Sequence, residues 1–217
     1  MLYYFYRGAL VPRFSLKYMK KQLVTINLKK INWMSILMFV APFLIGLTLK
    51  LTVFKDTSYG LGIWDILITI VGMLILSCVH ECIHALAFLI TGAPVNSIKF
   101  GAISKKMMLY CTTSKPMSIW RYKFSLLSPF IILGLLPFVV STILLKWEYV
   151  LLFSTMISGC AGDLMMFWAI SKKKQAKLVL DHPSAPAFYL LYDESSLPED
   201  FVEVTEEMEI NLIKNLK

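Results

Sequence analysis

Four long apolar stretches constrain the fold of this chain more than any other feature. They cover residues 33–53, 61–91, 124–145 and 149–170, and each is long enough for the roughly 20 residues that a membrane-spanning helix needs. Hydrophobic residues make up 57% of the chain and charged residues 17%, whereas soluble domains carry about half and about a quarter. The sequence therefore predicts an all-α polytopic membrane protein with about four transmembrane helices.

The same stretches divide the chain into three predicted parts. Residues 1–32 form a basic and aromatic N-terminal segment, residues 33–171 a four-helix transmembrane domain, and residues 172–217 a tail. Two interpretations of the N-terminal segment remain open: an interfacial segment on anionic headgroups, or solvated and partly ordered chain. The segment lacks the small-residue cleavage pattern of a signal peptide, so the first span is expected to stay in the protein.

The positions of lysine and arginine predict the orientation. Seven of them precede the first span, six lie in residues 93–123 and six follow residue 170, against three in the other two loops. Lys and Arg near membrane ends stay on the cytoplasmic side, so we expect a multi-pass protein of the cell membrane with both termini in the cytoplasm. Topology and contact with the lipid bilayer then explain the net charge of +8, and no nucleic-acid partner is assigned.

The middle loop and the tail differ in composition from the spans. Two β-type runs, VNSIKFGAI and MMLYCTT, flank the polar residues SKK, which predicts a small cytoplasmic β-hairpin packed on the end of the bundle. Nine of the fourteen acidic residues lie between Asp181 and Glu209. The end of this acidic tail is expected to form a short surface helix or a frayed end.

Within the second apolar stretch, the segment CVHECIHALAF contains His80, Glu81 and His84. Residues four apart project from the same face of a helix, so the imidazoles of His80 and His84 can bind one metal ion. Glu81 lies about 100° further round the helix, where its carboxylate can reach a metal-bound water. This HExxH arrangement is typical of zinc hydrolases that use the glutamate as general base. Ionisable residues inside a span are costly, which favours function over a buried cluster that only ties helices together.

A catalytic zinc usually has three protein ligands, so a third ligand is expected from another helix. Asp163 is the acid that lies within another predicted span away from its ends, and we expect it to be that ligand; a structural bond to a neighbouring serine or backbone group is the alternative. Gly159 and Gly162 beside it predict a close approach to the motif helix. Cys160 is a weaker ligand candidate. His182 either caps the site from the cytoplasmic side or belongs to a structural turn.

The other cysteines are expected to have no part in metal binding. Cys78 and Cys82 lie about 160° to 200° from His80 on a helical wheel, so they are interpreted as small packing residues. The chain has four cysteines without CxxC spacing, and no disulfide is expected on the cytoplasmic side.

Three segments carry a resemblance to a known family. HECIHALAF at 80–88, SGCAGDLMM at 158–166 and DHPSAPAFYLL at 181–191 resemble the small bacterial zincin peptidases of the DUF3267 family. More distantly, the arrangement is similar to the site-2 protease type of intramembrane metalloprotease, with HExxH in one helix and an aspartate in a later one. The resemblance implies Zn²⁺ bound by His80, His84 and Asp163, with Glu81 catalytic, in a bacterial membrane.

The expected activity is zinc-dependent hydrolysis of peptide bonds in membrane-embedded or membrane-proximal proteins. Two other hypotheses are considered: a non-catalytic metal-binding or partner-binding bundle, and a transporter that uses Glu81 and Asp163 as a proton relay. Four spans without a visible inverted repeat count against transport. Glu81 favours the enzyme over a structural metal site, because a structural site has no use for an additional carboxylate.

Overall fold

The computed structural model describes residues 3–4, 11–12, 19–55, 62–103, 108–144, 147–182 and 187–216. Its helices are α1 (Leu28–Thr52), α2 (Ile63–Ile90), α3 (Ile119–Pro129), α4 (Leu136–Leu144), α5 (Trp147–Gly159), α6 (Ala161–Lys172) and α7 (Glu206–Leu216). Its strands are β1 (Tyr3–Tyr4), β2 (Val11–Pro12), β3 (Met19–Thr25), β4 (Ile98–Ile103), β5 (Met108–Thr113), β6 (Met117–Ser118), β7 (Leu178–Asp181) and β8 (Ala187–Asp193). The fold is mostly helical, with small antiparallel sheets.

Four helical stretches are long and apolar enough to cross a membrane, which confirms the predicted number of such helices. They are Leu28–Thr52, Ile63–Ile90, Ile119–Leu144 and Trp147–Lys172. The first begins before the predicted residue 33 because Asn27 caps it, its Oδ1 accepting a hydrogen bond from the Lys29 amide at 2.9 Å. The predicted ends at residues 61 and 145 lie outside the described residues.

The third and fourth of these stretches are interrupted. A π-helix at Phe130–Leu135 joins α3 to α4, and the Leu136 amide bonds to the Ile131 carbonyl five residues earlier. Pro137 follows at once and has no N–H to donate, so an irregular turn is expected here. The fourth stretch turns at Cys160, between α5 and α6. This break brings the first turn of α6 to the level of the HExxH segment.

The helices pack closely at a different glycine from those expected. Among the described residues, a Cβ added at Gly159 or Gly162 would meet no atom within 4 Å, so the predicted close approach at these glycines is wrong. A Cβ at Gly46 would lie 2.6 Å from Val150 Cγ1, where α1 contacts α5. The Ser158 hydroxyl also donates to the Ser35 carbonyl at 2.9 Å, which ties the end of α5 to α1.

The predicted hairpin is confirmed. β4 and β5 pair antiparallel from Ile98 opposite Thr113 to Ile103 opposite Met108; the connecting residues 104–107 lie outside the described chain. Gly92, with a φ of 96°, ends α2 in the left-handed conformation that glycine adopts readily. The chain then reverses, and β5 lies against the C-terminal end of α2.

A four-stranded sheet corrects the prediction of an all-α fold. Its strand order is β3-β8-β7-β6, and β3 pairs with β8 along its whole length, from Met19 opposite Asp193 to Thr25 opposite Ala187. These two strands lie in the predicted N-terminal segment and the predicted tail. β8 is buried at nearly every position, so it lacks the alternation that reveals a half-exposed strand. The sheet and the ends of α2, α3 and α6 share one apolar core.

Candidate metal centre

Three potential metal-ligand atoms converge between α2 and α6. His80 Nε2 lies 3.1 Å from Asp163 Oδ2 and 3.1 Å from His84 Nε2. His84 Nε2 lies 3.4 Å from Asp163 Oδ2. The helical spacing of four residues stacks the two imidazoles on one face of α2, and Asp163 faces them from the first turn of α6. The structure therefore brings the three expected ligands together.

The chemistry and spacing of these atoms fit a zinc ion. In a tetrahedral site with zinc–ligand bonds of 2.0–2.1 Å, neighbouring ligand atoms are about 3.3 Å apart. The three observed separations of 3.1, 3.1 and 3.4 Å are close to this value. Three protein ligands would also leave the fourth position for water or substrate, as in catalytic zinc sites.

The tautomer of His84 also suits metal binding. Its Nδ1 lies 3.0 Å from the carbonyl oxygen of Ser125 on α3. A carbonyl only accepts hydrogen bonds, so Nδ1 must carry the proton, and the neutral ring then has its lone pair on Nε2. A metal-binding histidine is typically held through its other nitrogen in this way. The carbonyl of Ser125 therefore orients His84, a role that no sequence pattern indicated.

Cys160 approaches the other nitrogen of His80. Its Sγ lies 3.9 Å from His80 Nδ1 and donates to the Met156 carbonyl at 3.3 Å. Although ligand atoms of His80, Cys160 and Asp163 lie within 4.8 Å of one another, one imidazole cannot offer both nitrogens to the same ion. Because Nε2 faces Asp163 and His84, the set with His84 is the better ligand set, and Cys160 is a neighbour that contacts the back of the His80 ring.

Glu81 lies beside this ligand set and lines the same cavity. One carboxylate oxygen accepts a hydrogen bond from the backbone amide of Cys111 on β5. The other, Oε2, is buried and has no hydrogen-bond partner among the described residues. An unpaired buried carboxylate oxygen costs free energy, and such atoms are found where water or substrate completes the site. Glu81 thus has one oxygen bound to the protein and one oxygen unpaired within the described structure.

A cavity of about 180 Å³ connects these groups. It is lined by the four expected site residues and also by β5 residues Leu109–Thr112, by Gly159 and Gly162, and by Tyr122, Asp181 and His182. Because Gly159 and Gly162 lie in the cavity wall, a Cβ at either position meets no described atom within 4 Å. Water-sized and larger groups can therefore lie next to both the ligand set and Glu81.

A second carboxylate, to which no sequence pattern assigned a role, lies in this wall. Asp181 accepts hydrogen bonds from the Thr113 amide at 3.0 Å and from the Tyr122 hydroxyl. Burial raises the pKa of Asp181 to about 6, although these two donors and His84 lower it. Burial also raises the pKa of the Cys111 thiol to about 12, helped by the negative charges of Glu81 and Asp181. In the sequence, Asp181 stands out only as the first residue of DHPSAPAFYLL, one of the three segments that resemble the family.

His182 lies in the cavity wall and not in the ligand set. It is 4% exposed, its ring packs against Tyr189 with centroids 5.6 Å apart, and its amide donates to the Ala187 carbonyl at 3.1 Å. Burial lowers the pKa of His182, and Glu209 opposes this shift. Cys78 and Cys82 lie away from the ligand set, as the helical wheel predicts, but both are exposed on α2, so their interpretation as packing residues is wrong.

Comparisons with known proteins agree with the resemblance noted in the sequence. Residues 73–178 match the model of the DUF3267 family, which is described as "Putative zincin peptidase". The match includes the HExxH segment and Asp163, and it ends at the start of β7, before Asp181. A zincin is a zinc-dependent peptidase, so the description supports a metallopeptidase at the level of the family. The chain matches no curated protein and no solved structure.

Proposed function

We propose that this protein is a zinc-dependent peptidase that cleaves membrane-embedded or membrane-proximal polypeptides, with His80, His84 and Asp163 as zinc ligands. The observation that carries the proposal is Glu81 Oε2, which has no hydrogen-bond partner among the described residues and lies beside three convergent ligand atoms in one cavity. A structural zinc site is closed by four protein ligands and needs no base. The arrangement here supplies three ligands and a carboxylate, which favours catalysis.

Each of the four residues has a role in this proposal. Zinc held by the two imidazoles and the aspartate would polarise a substrate carbonyl and make a water molecule more acidic. Glu81 Oε2 accepts a proton from the attacking water, whose oxygen forms the new bond to the carbonyl carbon. Glu81 then delivers the proton to the amide nitrogen as the C–N bond breaks. Ser125 keeps His84 in the required tautomer throughout.

The walls of the cavity favour an extended substrate. Gly159 and Gly162 leave one side open, and β5 presents a strand edge on another. An extended peptide adds to a strand edge through backbone hydrogen bonds. The amides of Cys111 and Thr113 on this edge already bind Glu81 and Asp181. We therefore place the substrate backbone at the Leu109 end of β5, next to the unpaired Glu81 oxygen.

Metal analysis and cleavage of a membrane peptide test the proposal together. Purified wild-type protein is expected to contain one equivalent of zinc and to cleave a helical membrane peptide in detergent or nanodiscs. Glu81→Gln is expected to keep the zinc and to lose at least about a hundredfold in kcat, since it removes the base alone. Glu207→Gln, on the exposed face of α7, is the matched control and should behave as the wild type.

The ligand set has its own test by elemental analysis. His80→Ala, His84→Ala and Asp163→Ala are each expected to lose stoichiometric zinc, whereas Cys160→Ala is expected to keep it. Wild-type protein without a stoichiometric divalent metal would overturn the enzyme proposal. If Asp163→Ala keeps zinc and Cys160→Ala loses it, the third ligand is Cys160 and not Asp163.

A further inference from the structure

Asp181 joins three separate elements above the metal centre. It lies on β7. Its Oδ2 accepts a hydrogen bond from the Thr113 amide of β5 at 3.0 Å, and its Oδ1 accepts one from the hydroxyl of Tyr122 on α3. Tyr122 is 2% exposed, so its ring is fixed by packing in the apolar core. When Asp181 is ionised, above a pKa of about 6, these hydrogen bonds are charge-assisted and roughly twice as strong as neutral ones. The position of Asp181 therefore fixes the end of β5.

The geometry of the hairpin extends this contact to Glu81. In an antiparallel pair, the amides of alternate residues point toward the partner strand and away from it. The Thr113 amide points away from β4, since it donates to Asp181. Cys111 is two residues before Thr113, so its amide N–H points out from the same edge of β5. This amide donates to the Glu81 carboxylate. Two consecutive outward amides of β5 thus bind two carboxylates.

This connection leaves Glu81 with little freedom. One carboxylate oxygen is bound to a strand amide, and Asp181 and Tyr122 hold that strand in place. The remaining oxygen, Oε2, is buried and unpaired among the described residues. A general base is effective only when its oxygen is directed at the proton it removes.

We propose that Asp181 is a positioning residue for Glu81, acting through β5 and the backbone amide of Cys111, with Tyr122 as its anchor on α3. The inference rests on the proposed function for the role of Glu81. The contacts themselves do not depend on any activity. Loss of Asp181 should therefore release the Cys111 amide as well as the Thr113 amide, although Asp181 touches only the latter.

Hydrogen exchange at single amides tests this step without an activity assay. In Asp181→Ala, the Thr113 and Cys111 amides are both expected to exchange at least about tenfold faster than in the wild type, because both lose a fixed acceptor. Tyr122→Phe should produce a smaller change of the same pattern. Val179→Ala is the control, because it removes packing from the same strand at a fully buried position and leaves the Asp181 contacts in place. Unchanged protection of the Cys111 amide in Asp181→Ala would overturn the inference.

A proline at position 111 tests the contribution of the Cys111 amide separately from that of the Cys111 side chain. Cys111→Pro removes an N–H that takes no part in the β4–β5 ladder, and proline is tolerated at such outward positions. We expect its kcat to be at least about tenfold below that of Cys111→Ala, with similar KM and zinc content, because only the orientation of the base changes. Asp181→Ala should likewise have a kcat at least about tenfold below that of Val179→Ala, with similar KM and zinc content.

The outcomes of these two experiments are distinct. Equal kcat values for Cys111→Pro and Cys111→Ala would overturn the positioning role. If the wild-type protein binds zinc and cleaves no peptide, the proposed function fails. The exchange measurement then still decides whether Asp181 holds the Cys111 amide at Glu81.

Discussion

The two histidines of the candidate metal centre are oriented by contacts on the far sides of their rings. His84 donates from Nδ1 to the Ser125 carbonyl, and Cys160 contacts Nδ1 of His80. Both imidazoles therefore direct Nε2 toward Asp163. A ligand that is already oriented loses less conformational freedom when an ion binds, so these contacts favour metal affinity.

At the residue scale, Asp181 should give the protein a pH-dependent stability. Burial raises the pKa of Asp181 from 3.8 to about 6. Because the pKa of the folded state is the higher one, the stabilisation from the neutral carboxyl is fully present below about pH 4 and is lost as the pH rises through about 6. Relative to Asp181→Asn, the wild type should lose on the order of 2–3 kcal/mol of unfolding free energy between pH 4 and pH 7.

Unfolding of both proteins in detergent across this pH range measures the effect. Asp181→Asn cannot titrate and serves as the reference, so contributions from other groups largely cancel in the comparison. A difference between the two proteins that does not vary with pH would contradict the assignment.

At the element scale, α2 is divided between two environments. Its N-terminal two thirds are largely exposed and apolar, while His84, Ala85, Ala87 and Phe88 near its C-terminal end are buried. The apolar surface suits contact with lipid, and the buried end is where α3, β5 and the sheet pack. The polar site therefore lies in the part of α2 that the rest of the protein covers.

The sheet depends on a contact between the two ends of the chain. Gln22 on β3 accepts a hydrogen bond from the Tyr192 hydroxyl at 3.0 Å and donates to the Asp200 carbonyl at 3.2 Å. Tyr192 is fully buried. Gln22→Ala would leave this hydroxyl without its acceptor, so we expect a loss of about 1–3 kcal/mol of unfolding free energy, measurable by thermal unfolding in detergent.

Lys20→Ala is the matched control on the same strand. It breaks an ion pair with Glu203 in which both side chains are exposed, and such pairs contribute little to stability. An equal loss in the two variants would show that β3 itself, and not the Gln22–Tyr192 contact, determines the effect.

At the scale of the whole molecule, the hairpin and the four-stranded sheet lie at the ends of α2 and α3 that carry the site. The uneven distribution of Lys and Arg predicts that this end faces the cytoplasm. Lys55, in the loop between α1 and α2, should then face the opposite side, and Ser195, after β8, the cytoplasm. Both residues are exposed.

Cysteine labelling in intact cells tests this orientation. In a background with the native cysteines replaced by alanine, a membrane-impermeant maleimide should label Lys55→Cys before lysis and Ser195→Cys only after it. Labelling of Ser195→Cys in intact cells would reverse the proposed topology and place the site near the outer surface.

Local sequence patterns determined the apolar helices, the hairpin and the pairing of His80 with His84. Each of these depends on residues close together in the chain: a run long enough to span a bilayer, two β-type runs around a polar turn, and a spacing of one helical turn. The same local information placed Asp163 among the candidates, because few acids occur within apolar helices.

Only the tertiary structure decided which distant residues meet. The pairing of β3 with β8 joins segments about 170 residues apart, and neither strand shows the alternation that would predict it. Asp181, Tyr122 and Thr113 come together from a strand, a helix and a hairpin. The break at Cys160 and the packing of α6 place Asp163 beside the two histidines. Such contacts depend on the packing of whole elements, which local patterns do not encode.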